Sequence, residues 1–152
     1  MKRVLLVLAF LVGCASPDLD IIIENGSVVD GSGKDRFAAD VGIRDGRIVQ
    51  MGDLSGVVAE TRVDATGMVV APGFIDIHSH ATGSSIEGSS IVRSPNAENY
   101  VRQGVTTAMG GQDGSSMLDI DGFLQHLDVN PPAINIGVFV GHGSVRGAVV
   151  GQ

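Results

Sequence analysis

Ala71-Pro72-Gly73-Phe74-Ile75-Asp76-Ile77-His78-Ser79-His80 is the stretch around which the rest of the chain falls into place. Pro72-Gly73 marks a turn, and Phe74 to Ile77 is largely apolar and β-branched, the pattern of a short buried strand. Strand side chains alternate between faces, so Asp76, His78 and His80 share one side while Ile75, Ile77 and Ser79 share the other. Two imidazoles on one face at the mouth of a strand can converge on one divalent ion, with ring nitrogens donating at about 2.0–2.1 Å. The bare pair is equally compatible with strand-end histidines that only make hydrogen bonds.

The preceding residues shift that balance. Pro72-Gly73-Phe74-Ile75-Asp76-Ile77-His78-Ser79-His80 resembles the first barrel strand of the amidohydrolase superfamily, whose pattern is Pro-Gly-hydrophobic-Ile-Asp-x-His-x-His. The resemblance implies a (β/α)8 TIM barrel in which His78 and His80 bind a catalytic divalent metal, zinc being the expected ion, at the C-terminal end of strand 1.

Outward towards the amino terminus, residues 18–71 read as short strands separated by turn dipeptides. Asp20 to Glu24, Asn25-Gly26 and Ser27 to Asp30 suggest one hairpin; Asp40 to Arg44, Asp45-Gly46 and Arg47 to Met51 suggest a second. Glu60 to Asp64 and Met68 to Ala71 add two strands around Ala65-Thr66-Gly67. Residues 15–71 are therefore expected to form a small β-sandwich domain, which the resemblance places ahead of the barrel. Gly31-Ser32-Gly33-Lys34 lacks the Walker spacing and reads as a connecting loop.

At the very start, Met1-Lys2-Arg3 and the apolar run Val4 to Val12 have the form of a secretory signal, too short to span a bilayer. Leu11-Val12-Gly13-Cys14 resembles the lipobox of bacterial lipoproteins. That implies a signal peptide over residues 1–14 with lipid attachment at Cys14, hence a cell-envelope protein held to a membrane by its lipid, and Ala15 resembles the sorting residue of outer-membrane lipoproteins. Cys14 is the one cysteine in the chain, which leaves no thiol pair for a disulfide. A net charge of −7 argues against a nucleic-acid partner, which calls for a basic face.

Beyond the two histidines, Ala81 to Ser94 reads as a loop at the end where barrels build their sites. Ser94-Pro95 suggests a helix start running to about Gln103. Val105 to Met109 is the second expected barrel strand, Asp119 to Leu127 an amphipathic helix with His126 on its outer side, and Ile134 to Val140 a third strand after Pro131-Pro132. Residues 72–152 thus correspond to roughly three of the eight βα units of a barrel, which needs about 250 residues. The fold class expected is α/β: a small β-sandwich followed by the first part of an incomplete metal-dependent barrel.

Gln103 to Gly114 resembles the second-strand motif of the N-acyl-D-amino-acid deacylases, in many of which the loop reads Gly-Asn-Cys-Gly and the cysteine ligates the metal. Asp113 stands at that position here. A carboxylate is also a competent anionic ligand, and Asp-Gly is equally a common turn dipeptide. Gly141-His142-Gly143-Ser144-Val145-Arg146 is similar to a Val-Gly-His-x-x-Leu-Arg segment of the same enzymes, which implies that His142 lies near substrate and that Arg146 meets the substrate carboxylate. The glycine spacing there does not match a dinucleotide loop.

The resemblance implies a metal-dependent hydrolase of carbon–nitrogen bonds acting on small N-acyl-D-amino acids. The general base expected of such an enzyme falls beyond Gln152, so the chain is expected to be an N-terminal piece, inactive by itself. Two other readings stand beside it: another amidohydrolase, such as a dihydroorotase-like cyclic amidase or an isoaspartyl dipeptidase, and a non-catalytic surface lipoprotein that keeps the β domain.

Overall fold

The computed structural model describes residues 18–151. The signal-peptide reading and Cys14 lie outside them. The described chain divides into two compact units, one ending at Pro72 and the other beginning at Gly73.

The first unit is one mixed sheet built on a long central strand, β1 (Leu19–Val28). Strands β2 (Phe37–Arg44) and β3 (Arg47–Gly52) form the hairpin expected at Asp45-Gly46, where both residues take positive φ, 52° and 68°, as a type I′ turn requires. Strands β4 (Ala59–Asp64) and β5 (Val69–Val70) run parallel to β1, β4 along Leu19 to Glu24 and β5 at Ser27 and Val28, giving the order β3-β2-β1-β4 with β5 also on β1. Where a two-layer sandwich was expected, the described residues supply this single sheet. Its core is Leu19, Ile22 and Leu54, all buried.

The Asn25-Gly26 hairpin does not form. Asn25 has φ 61°, but it sits inside β1 as an irregularity in the pairing with β2. The reason is local satisfaction of polar groups: the Asn25 N–H donates to Asp40 Oδ1 at 3.0 Å and its side-chain amide donates to Asp64 Oδ1 at 3.1 Å. The Thr66 hydroxyl, then the Asn25 amide, then the Thr66 N–H hold the Asp64 carboxyl below the usual range. The kinked strand thereby reaches both β4 and β5 with one continuous backbone.

The second unit is a parallel sheet ordered β6-β7-β8, made of β6 (Phe74–Asp76), β7 (Val105–Gly110) and β8 (Asn135–Val138). Sequential, adjacent, parallel strands joined by helical crossovers are the arrangement of a barrel segment. Helix α1 (Ser90–Arg93) lies within the segment expected to be loop, and α2 (Glu98–Val101) starts later than Ser94-Pro95 suggested. Ser94 instead accepts the Ala97 N–H through its carbonyl, and Pro95 accepts from Ala133, so this segment is a tethered turn.

Helix α3 (Ile120–Val129) begins as predicted, with the Asp119 carboxylate accepting from the Gly122 N–H at 3.0 Å. Its inner face brings Phe123 and Leu127 onto Ala108, Met117 and Ile134, the core of this unit, while His126 lies half-buried. Helix α4 (His142–Val150) closes the described chain.

The strand expected to be buried is not. Phe74, Ile75 and Ile77 are 63, 64 and 69% exposed, because β6 has β7 as its one strand partner among the described residues. No described helix is long and apolar enough to cross a membrane.

Candidate metal centre

His78 and His80 lie just past the C-terminal end of β6, and the backbone there is pinned from the opposite face. Ser79 is buried, and both its N–H, at 3.1 Å, and its hydroxyl, at 3.0 Å, donate to the carbonyl of Met109 on β7. With Ser79 turned inward, alternation turns its two neighbours outward together. The imidazole centroids are 6.0 Å apart with planes tilted by 46°.

Asp113 arrives from the loop after β7, which parallel pairing places beside the end of β6. One carboxylate oxygen, Oδ2, is 3.3 Å from His78 Nε2 and 3.4 Å from His80 Nε2. The side chains of His78, His80 and Asp113 are 61, 77 and 57% exposed, so their direct attraction contributes only about 0–1 kcal/mol. Such weak contacts do not gather three side chains; the strand ends do. Asp113 has φ 59°, and Gly111 and Gly114 on either side of it are also left-handed, so the chain turns sharply in this loop.

The donor set fits a divalent ion. One ligand atom from each of His78, His80 and Asp113 lies within 4.8 Å of the others, two imidazole nitrogens and one carboxylate oxygen, which are donor types that zinc takes. All three side chains are more than half exposed, so water or a substrate can reach the donor atoms. The structure brings these three residues together from segments that follow two separate strands.

His142 and Arg146 are placed differently. Both are exposed residues of α4, four apart on one face, and neither belongs to the cluster of metal donors. An open cavity of about 620 Å³ does adjoin Asp113, but α4 contributes Gly143, Ser144, Gly147 and Ala148 to its wall, which Ser84 and Ser115 also line. The face of α4 turned to this cavity is therefore small and uncharged, and the His142–Arg146 face points elsewhere.

Sequence reading missed Gln112. Its side-chain amide donates to the carbonyl of Ile77 at 3.1 Å and to the carbonyl of Met109, tying the Asp113 loop to the strand that carries His78. A lone polar side chain between glycines and the ligand was the available signal. It also missed Ser116, whose hydroxyl accepts the Gly141 N–H at 2.8 Å and anchors the start of α4.

Comparison with known proteins agrees with this geometry. The model of the amidohydrolase family matches residues 61–144. The chain is 35% identical to the D-aminoacylase of Alcaligenes xylosoxydans xylosoxydans, over 89% of this chain and 31% of that enzyme. It superposes on the crystal structure of N-acyl-D-glutamate deacylase from Bordetella bronchiseptica, complexed with zinc and a phosphonate inhibitor, with a TM-score of 0.76 and 33% identity, over 84% of this chain and 30% of that one. A D-aminoacylase crystal structure superposes with a TM-score of 0.77 at 32% identity, over 88% of this chain and 32% of that one. The chain thus spans about a third of the length of the relatives it matches.

Proposed function

The chain belongs to the amidohydrolase family, and from that premise we propose that it forms the first part of a metal-dependent hydrolase that removes the acyl group from N-acyl-D-amino acids. The observation that carries the proposal is the convergence of His78, His80 and Asp113 at the C-terminal ends of two adjacent parallel strands. This is the end at which barrels of this kind assemble their sites. The two deacylases described above support the substrate class.

Zinc is the proposed ion, supported by the two-imidazole, one-carboxylate donor set and by the zinc in the Bordetella relative. A divalent ion held by His78, His80 and Asp113 would supply Lewis acidity toward an amide carbonyl and a water molecule. The two imidazoles, anchored at the end of β6, would hold the ion, and the Asp113 carboxylate would offset part of its charge. Solvent exposure of all three leaves an approach for the scissile amide. Arg146 and His142, on the face of α4 turned away from the cavity beside Asp113, are the proposed substrate contacts on the support of the sequence resemblance alone.

The test is a panel of N-acyl-D- and N-acyl-L-amino acids offered to the zinc-loaded protein that carries this chain, with free amino acid measured. Release from the D-series that is abolished by a chelator and by His78→Ala is the expected result. Ring opening of cyclic amides with no release from acyl amino acids would replace this reading with that of a cyclic amidase.

We also propose attachment to the cell envelope through a lipid on Cys14, supported by the Leu11-Val12-Gly13-Cys14 sequence. Cys14→Ser should move the protein from the membrane to the soluble fraction. Unchanged membrane fractionation would overturn the lipid anchor.

A further inference from the structure

We propose that Gln112 is the positioning residue of this metal site, clamping the Asp113 loop against the strand that carries the histidines. The inference rests on reading His78, His80 and Asp113 as metal donors, and it assigns a role to a residue that is not itself a ligand.

Three observations lead to it. First, the Gln112 side-chain nitrogen faces two carbonyls at once, that of Ile77, immediately before His78, and that of Met109, at the end of β7. Both neighbours are acceptors, so the amide must present its NH₂ to them, which uses both of its hydrogens. Second, the Met109 carbonyl also accepts the N–H and hydroxyl of Ser79, the residue between the two histidines. Met109 is therefore the point where the histidine strand and the Asp113 loop are held to one another. Third, Asp113 has φ 59° between left-handed Gly111 and Gly114, a loop conformation that its own backbone preferences do not impose.

On its other flank the loop is held independently. The Ser144 N–H donates to the Gly114 carbonyl at 3.1 Å, and the Ser116 N–H donates to the Ser144 hydroxyl at 2.9 Å. These bonds tie the loop to α4, and the Ser79–Met109 bonds tie the histidine strand to the end of β7, but none of them joins the loop itself to the histidine strand. Gln112 is the side chain that spans that remaining gap. Without it the loop keeps its connection to α4, while Asp113 gains freedom to swing away from the two imidazoles. Groups that orient metal ligands typically change metal affinity by about 10- to 100-fold when lost.

Gln112→Met keeps the length and volume of the side chain and removes both donors; Gln112→Asn keeps the amide on a shorter stem. Competition titration of zinc against a chromophoric chelator should show affinity about 10- to 100-fold weaker for the methionine variant and an intermediate loss for asparagine. The visible spectrum of the cobalt-loaded methionine variant should also differ from that of the wild type, reporting altered ligand geometry at saturating metal. A purely structural glutamine would lower the thermal midpoint of the metal-free protein yet leave both the dissociation constant of folded protein and the cobalt spectrum unchanged, and that result overturns the inference. If the wild type binds no ion in a manner dependent on His78 and His80, the metal-site reading itself has failed, and the role of Gln112 with it.

Discussion

Replacing Asp113 with alanine removes the anionic member of the proposed donor set, and the size of the effect follows from elementary electrostatics. A carboxylate oxygen coordinates zinc at about 2.0–2.2 Å. At that separation a single negative charge and a doubly charged ion attract by about 4 kcal/mol even at the dielectric constant of bulk water, the appropriate limit for side chains as exposed as these. At about 1.4 kcal/mol per decade this corresponds to a loss of roughly 10²- to 10³-fold in affinity. Asp113→Asn keeps an oxygen in place and removes the charge, so it should incur most of the same loss. Chelator competition on the two variants and the wild type measures both numbers. An Asp113→Ala protein within about threefold of wild-type affinity would show that the carboxylate only hydrogen-bonds to the histidines, and the coordination argument would fail.

Other perturbations probe the scaffold. Phe123 is fully buried at the centre of the second unit, so Phe123→Ala should destabilise by about 3–5 kcal/mol, read by chemical denaturation. Gly111 has φ 82° and a Cβ there would overlap the Phe139 carbonyl oxygen, backbone that has no room to move aside; Gly111→Ala should cost about 2 kcal/mol or more and weaken metal binding in parallel. The Asp64 carboxyl, held below its ordinary range by Thr66 and Asn25, contributes stability that is present above its unfolded value and lost as pH falls through its folded value. An acid titration of Asp64→Asn followed by circular dichroism should therefore lack part of the wild-type transition.

What could be read from sequence, and what could not, divides along physical lines. Asp45-Gly46 was legible because a tight hairpin depends on two adjacent residues and their φ angles alone. Asn25-Gly26 has the same local chemistry, yet Asp40 and Asp64, remote in sequence, capture its amides and keep the strand running through. No local rule reports that competition. The shared face of His78 and His80 followed from strand alternation, whereas the nearness of Asp113 came from family resemblance, since the pairing of β6 with β7 decides it. Burial of Phe74 to Ile77 was misjudged for a related reason: apolar sequence signals a strand that is to be covered, and in the described residues β6 has one neighbour. Beyond its place between glycines and Asp113, nothing in the sequence reported the role of Gln112, because that role lies in two carbonyls, which any residue type could have supplied.

The central claim is that His78, His80 and Asp113 grip one divalent ion together. X-ray absorption at the zinc edge tests it most directly, comparing the wild type with a His78→Ala, His80→Ala double variant. Imidazole scattering from nitrogens at about 2.0–2.1 Å that diminishes in the double variant, with a matching fall in tightly bound zinc, is the predicted outcome. Identical spectra and identical metal content for the two proteins would contradict it.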